Sequence, residues 1–512
     1  MNPGSAAPHA GDPPRVTDVH AGAREVTRGP AAPGSRGWLD PVLLASLVVL
    51  CVGARSLLIA RIPYCAEDAY ITFRYALNWA HGLGPVYNAG ERAWGFTSPL
   101  WTSLLALMAV ARAPLELAAR TTLVACDVLT LVLAWRLLRE RSRLAAVAFG
   151  AFFALWPRLA QMPATGLESS LVTCLLLAAA SFGRTRWGGL LNGVLALSRP
   201  EGALMSAILA WRLSSRQRWV WLGVAALQGC FMLYFASLLP SSVSSKSTVY
   251  GIQLFRGLYW LEWLIPGIQA ETLDGLALAP ISLLILTGLI AAVAHWRRVA
   301  DDSPLPALFG CGLLVLAIYM ATGAPWFYWY APAPMVAIFA TACFGLGTAG
   351  VLRWMLVPLL VAIACSWGNL EAHVLRRQTH DVAVFANLGR TLRADAAGRA
   401  GSVLLEPIGL IGYLSGLRVL DEVGLVTPWI AEERRKGDGW YARVIEREHP
   451  DYVVIRRDWL KGQVSWAGVG APFASPEQAV STMRDYEPVR TRIDTEDLPA
   501  GAGTLLLLRR KQ

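Results

Sequence analysis

Between residues 40 and 367 the chain repeats one pattern, an apolar run of roughly membrane-crossing length closed by a short arginine cluster, and no other feature constrains its fold as tightly. A helix needs about 20 apolar residues to cross the hydrocarbon core of a bilayer. Hydrophobic residues make up 55% of the chain and charged residues only 16%, with a mean hydropathy of +0.43, which excludes a single water-soluble globule. The formal net charge of +10 does not argue for nucleic acid as a partner. The basic residues sit beside apolar runs, where the cytoplasmic ends of membrane helices collect them. The chain therefore reads as an α-helical polytopic membrane protein whose first partners are membrane lipids.

Residues 1–37 are rich in Gly, Pro, Ala and Arg without apolar periodicity, which predicts a disordered tail. Arg15, Arg24, Arg28 and Arg36 place that tail in the cytoplasm. The first apolar run comes late and lacks a small-residue cleavage site, so it reads as an anchor. Keeping the basic clusters inside gives about 11 transmembrane helices within residues 38–369: 40–60, 116–138, 144–161, 167–183, 187–198, 201–213, 218–239, 276–296, 305–322, 327–347 and 350–367. The run 97–113 is short, and a crossing there would strand Arg136, Arg139, Arg141 and Arg143 outside. It predicts a membrane-edge or re-entrant helix. Proline disfavours helix in the residue before it, so SRPEG at 198–202 predicts a tip between two short half-spans.

Beyond residue 370 charge rises and long apolar runs vanish. Strand-like pieces at SVLLE, LRVLD, DYVVIR and TLLLLRR, separated by Gly/Pro turns and a helical stretch at 380–394, predict a soluble α/β domain over 370–512. An odd number of crossings puts this domain outside, in the periplasm of a bacterial inner-membrane protein.

Seven of the eight cysteines fall inside apolar runs, and their spacing matches no disulfide framework or metal cluster. The seven histidines show no HExxH or similar spacing. No metal site is expected from these residue types, while carboxylate ligation of Mg²⁺ or Mn²⁺ stays open.

The polar stretch 61–96 follows the first span and carries Glu67, Asp68, Arg74, Glu91 and Arg92 just outside the bilayer. Charges at a membrane surface are costly to desolvate, so they mark a pathway, a pairing or a reaction site. Under the expected topology the same face gathers Glu168 from ATGLESS, Arg199 and Glu201 from LSRPEG, and Lys246 from LPSSVSSK. Lys246 is the sole lysine in the first 435 residues. A sugar carried on a lipid phosphate accounts for both signs of charge. The departing phosphate needs cationic donors, here Lys246 with Arg74 or Arg199. The acceptor hydroxyl needs a carboxylate to take its proton, Asp68 or Glu67.

Each of these residues also has a plainer reading. Glu67 and Asp68 suit a helix start, Arg74 an interfacial anchor, and Glu168 a cap on the fourth span. Arg199 and Glu201 suit a mutual pair at the tip. Asp127, inside the second span, is expected to find a structural partner on a neighbouring helix. The run WFYWYAPAP at 326–334 reads as an interfacial aromatic belt, with sugar stacking as its second reading.

The stretch EDAYITFRYALNWAHGLGPVYNAGERAWGFTSPLW resembles the first external loop of polytopic GT-C glycosyltransferases, in which an acidic pair follows the first span. TGLESSL, LSRPEG, LPSSVSSK, and IGYLSGLRVLDEVGL followed by HPDYVVI look like later signatures of one bacterial subgroup. The chain is similar, over about residues 40–460, to the family of mycobacterial terminal arabinofuranosyltransferases and their bacterial relatives. This resemblance implies a transferase with a polyprenyl-phosphate-linked sugar as donor, a pentose such as arabinofuranose included, and a cell-envelope glycan or lipid as acceptor. It places Glu67 and Asp68 at the catalytic centre, with Asp68 as the favoured base and Glu67 where relatives carry a second Asp. It also sets Glu406 where relatives carry an Asp before the GxIGYxS segment. A transporter or flippase of lipid-linked saccharides is the rival. Such proteins show inverted repeats and broken helices at the bilayer midplane, whereas the charges here fall at one edge.

Overall fold

The computed structural model describes residues 38–242, Ser245, Val249, 285–296, 303–322, 327–349, scattered positions between 354 and 367, 376–461, 470–490 and 505–511. The expected tail 1–37, Lys246, most of the segment 240–275 and much of the expected span 350–367 lie outside the described residues. The chain divides into two compact units, Met1–Val42 and Leu43–Gln512. The first contributes only residues 38–42 to the described set, and the contacts below belong to the second.

Among the described residues three helices are long and apolar enough to cross a membrane: α1 (Leu39–Arg61), α4 (Leu115–Arg139) and a later helix, Leu305–Thr322. Between them lie α2 (Glu67–Ala80), inside the polar stretch, and α3 (Pro99–Val110), the short helix expected at the membrane edge. Ser98 caps α3 by accepting the Trp101 N–H at 3.2 Å, and Pro99 occupies its first turn, which starts the helix sharply. The expected third span is not straight. It runs as α5 (Arg143–Leu155), α6 (Pro157–Ala160) and α7 (Met162–Thr165), bent by 61°. The next three expected spans are short: α8 (Ser169–Phe182), α9 (Gly188–Ala196) and α10 (Pro200–Leu209). Arg199 between α9 and α10 is fully extended (φ −167°, ψ 163°), as the proline after it requires. The expected span 218–239 is α11 (Ser215–Ala225) followed by α12 (Leu227–Phe235). By length and apolarity the described residues thus hold three crossings, or four with the bent segment, against 11 expected. Prolines and turns have cut the apolar runs into shorter helices.

The bend has an identifiable brace. Pro157 has no N–H for the carbonyl of Phe153, and the turn it starts leaves the Ala154 carbonyl open as well. Arg55, on α1 and buried, fills both vacancies, its Nη2 donating to Phe153 O at 3.0 Å and its Nη1 to Ala154 O at 2.8 Å. Its Nε donates to Asp127 Oδ2 at 2.7 Å. Asp127 therefore has the structural partner on a neighbouring helix that its position called for.

The C-terminal part forms a five-stranded sheet in the order β2-β1-β3-β5-β4. Its strands are β1 (Ser402–Leu405), β2 (Arg418–Asp421), β3 (Tyr452–Arg456), β4 (Tyr486–Pro488) and β5 (Leu505–Arg510). β1 pairs in parallel with β2 and β3, whereas β5 runs antiparallel to β3 and β4. The four strand-like sequences are β1, β2, β3 and β5, and the expected helix is Arg376–Ala396. β4 was not foreseen, because YEP carries no alternating pattern. Both faces of the sheet are buried. Leu404, Leu420, Val453 and Ile455 pack with Trp440 and Tyr441 on one side. On the other, Val403, Val419 and Val454 share a core with Tyr70, Phe73, Tyr75 and Trp101 of the polar stretch and α3. The second of these cores joins the sheet to the stretch that carries Glu67 and Asp68.

Candidate active site

Helix α2 begins at Glu67, so the acidic pair occupies its first turn, where negative charge is favoured. The two side chains serve different surroundings. Oε1 of Glu67 accepts the backbone N–H of Gly409, at the start of the short helix Gly409–Ser415 that follows β1. A Cβ at Gly409 would overlap the Glu67 carbonyl oxygen, so only glycine allows this approach. Burial, then the charges of Asp68 and Glu406, hold the Glu67 carboxyl well above the usual carboxylate range. Burial thus favours the neutral form of Glu67 more than its position at a helix start would suggest.

Asp68 lines two neighbouring cavities. The larger, of about 210 Å³, also receives Glu67, Gln161, Trp329, Thr379 and Phe385. The smaller, of about 40 Å³, receives Thr72, Glu168, Arg199, Ser242, Trp329 and Tyr330. Trp329 stands in both walls. The aromatic run thus belongs to the site, with the Arg199 guanidinium 4.6 Å over the Tyr330 ring. Sequence alone left this run between an interfacial belt and a stacking surface.

The other expected residues divide. Glu168 begins α8 without capping it, and its carboxylate instead receives Arg199 Nη1. Arg199 Nε goes to Glu201, so all three buried side chains form one cluster with Asp68 across the small cavity. Arg199, expected at the phosphate, stands in the small cavity with Asp68 and is held there by two carboxylates. Two carboxylates already match its single charge, and a phosphate would have to displace one of them. Arg74 lies elsewhere. It lines neither cavity, and its guanidinium donates to the carbonyls of Tyr87 (2.9 Å), Gly412 (2.7 Å) and Leu417 (2.7 Å) while lying 4.3 Å over the Tyr87 ring. Its role is to tie α2 to the C-terminal domain. Asn88 does the same, donating to Val419 O at 2.8 Å and accepting from Val419 N at 3.0 Å. Among the described residues no three His, Cys, Asp or Glu side chains form a metal-holding group.

Behind Glu67 lies a network that sequence reading did not assemble. Glu406 pairs with Arg456, whose Nη1 is 3.5 Å from Glu422 Oε2, and the Tyr441 hydroxyl donates to Glu422 Oε1 at 3.2 Å. Burial pushes the Glu422 carboxyl up to about 8, opposed by the Arg456 charge and reinforced by Glu406. Unfolded, Glu422 releases its proton near the ordinary 4.5. Its contribution to stability is therefore full below about pH 4.5 and is lost as pH rises towards about 8. Glu422→Gln is expected to flatten the fall of Tm across that window, and a slope equal to the parent's would remove Glu422 as its source.

A family model described as a domain of unknown function (DUF8728) matches residues 372–504. No curated protein matches the chain. Among solved structures, ArnT from Cupriavidus metallidurans bound to undecaprenyl phosphate is similar at 11% identity and a TM-score of 0.58, over 93% of this chain and 98% of that one. The same protein in its apo state matches at 11% identity and 0.55, over 92% and 97%. The apo oligosaccharyltransferase of Archaeoglobus fulgidus matches at 13% identity and 0.51, over 91% of this chain and 76% of that one. The chain has the fold of these solved structures.

Proposed function

We propose that this chain, with its GT-C fold, transfers a sugar from a polyprenyl-phosphate donor to a cell-envelope glycan or lipid at the periplasmic face, and that Asp68 is the base. The donor sugar is a pentose such as arabinofuranose. The observation that carries the reading is that Asp68 lines two adjoining cavities at once, one for each substrate to enter. Asp68 takes the proton of the acceptor hydroxyl, the freed oxygen pair bonds to the sugar's anomeric carbon, and the bond from that carbon to the phosphate oxygen breaks. Glu67, held by the Gly409 N–H and with its carboxyl pushed up by burial, is the second carboxyl of the pair. The reading includes 11 crossings in the inner membrane, a cytoplasmic N-terminus and a periplasmic C-terminal domain.

The departing phosphate needs a cation. Lys246 is that cation in this proposal, on the strength of its isolation in the sequence. Ser242, four residues before it, lines the small cavity with Asp68, and Ser245 donates to Gly424 O at 2.9 Å. Purified protein in proteoliposomes, offered a panel of polyprenyl-phosphate pentoses and hexoses, is expected to produce a glycosylated acceptor. Movement of the lipid-linked sugar across the bilayer without transfer would sink the enzyme reading. Lys246→Ala is expected to reduce kcat/KM for the donor by about 10- to 100-fold, the worth of one hydrogen bond to a charged group. Donor kinetics like the parent's would take Lys246 out of the site.

A further inference from the structure

The larger cavity holds polar groups that the proposed chemistry does not use. Gln161 connects α6 to α7 in the sequence WPRLAQMPATG, where Pro157 and Pro163 prevent one continuous helix. Its backbone is satisfied, the N–H donating to Pro157 O at 3.0 Å and the carbonyl accepting from Ala164 at 3.0 Å. Its side chain is different. Gln161 is only 2% exposed, it lines the cavity, and among the described residues its amide has no hydrogen-bond partner. A primary amide on a buried, cavity-lining residue that makes no hydrogen bond to protein is placed to bind a ligand there. Across the cavity Thr379, on the helix Arg376–Ala396, is half-buried, and its hydroxyl makes no hydrogen bond among the described residues.

Trp329 and Phe385 supply apolar aromatic surface to the same cavity. Aromatic faces with a few convergent hydroxyl-binding groups suit a sugar ring, which has one apolar face and an equatorial rim of hydroxyls. At about 210 Å³ the space is smaller than the ~300–1,000 Å³ of drug-sized sites, which favours one ring over an oligosaccharide. We propose that Gln161 and Thr379 are the hydroxyl-binding, specificity-determining residues of a single-sugar subsite beside Asp68. The C-terminal domain thereby contributes a ligand to the site as well as a wall. The inference rests on the glycosyl-transfer reading for what brings a sugar there, and the ring comes from either the donor or the acceptor.

The test uses full-length protein in nanodiscs, with turnover stopped by Asp68→Asn. Methyl glycosides serve as acceptor-side probes and decaprenyl-phosphate sugars as donor-side probes, with binding read by calorimetry and tryptophan fluorescence. The ring that binds is expected to lose about 10- to 100-fold in affinity with Gln161→Leu, which keeps the bulk and removes the amide. Thr379→Val is expected to lose less. An analogue lacking the contacted hydroxyl should bind the two forms alike, because the group it would have met is already gone. Equal affinities for parent and both variants, or no ring bound to the parent from either probe set, would overturn the subsite. Where Gln161→Leu fails to insert, Gln161→Asn and Thr379→Val carry the same readout. Gln161-dependent binding together with no transfer from any donor would leave the subsite standing and remove the proposed function.

Discussion

Asp68→Asn is expected to lower the rate of transfer from a polyprenyl-phosphate donor by about 10²- to 10⁴-fold, the usual range for loss of a general base. The amide keeps the shape of the side chain and cannot take a proton. Insertion and thermal unfolding should stay close to the parent's, because Asp68 lies between cavities and not within a packed core. Glu67→Gln separates the two carboxyls. Burial favours the neutral form of Glu67, and a glutamine can still accept the Gly409 N–H, so its effect on rate should be much the smaller. Turnover by Asp68→Asn at the parental rate, or a larger loss from Glu67→Gln, would reject the assignment.

Arg55→Leu has the largest expected effect on folding. It strips the partner from Asp127, which is 3% exposed, and leaves the carbonyls of Phe153 and Ala154 unpaired at the bend. Removing one member of a buried ion pair costs about 3–5 kcal/mol, because the other charge is stranded. The double variant Arg55→Leu/Asp127→Leu should recover much of that loss, since it removes the stranded charge and leaves only the two carbonyls. Denaturation in detergent, followed by loss of helical signal, measures both. A double variant no more stable than the single one would show that the carbonyls at the bend, and not Asp127, dominate. The bend also sets Gln161 in the large cavity, so Arg55→Leu is expected to affect binding there as well.

The polar stretch shows what each source of information could reach. That Glu67 and Asp68 stand together at the start of a helix beside a cavity was legible as a candidate, because a carboxylate pair next to an apolar span has a cost that demands a reason. The break at Arg199 was legible too, since proline acts on its neighbour through local sterics. The partners of Arg199 and Arg74 were not. An arginine beside an apolar run has the same local sequence whether it meets a lipid phosphate, two carboxylates or three backbone carbonyls, and Glu168 is 31 residues away from Arg199 in the chain. Gln161 gave no signal beyond the two prolines that flank it.

Local rules, acting over a few residues, were enough for the sequence by itself to determine the long apolar helices, the acidic pair at a helix start, the break at Pro200 and four of the five strands. Only the tertiary structure decided that burial pushes the Glu67 carboxyl up, which partners Arg199 and Arg74 meet, and that Gly409 and Thr379 come to lie beside the acidic pair. Those outcomes depend on desolvation and on charges brought together from distant segments, and neither quantity exists until the chain has folded.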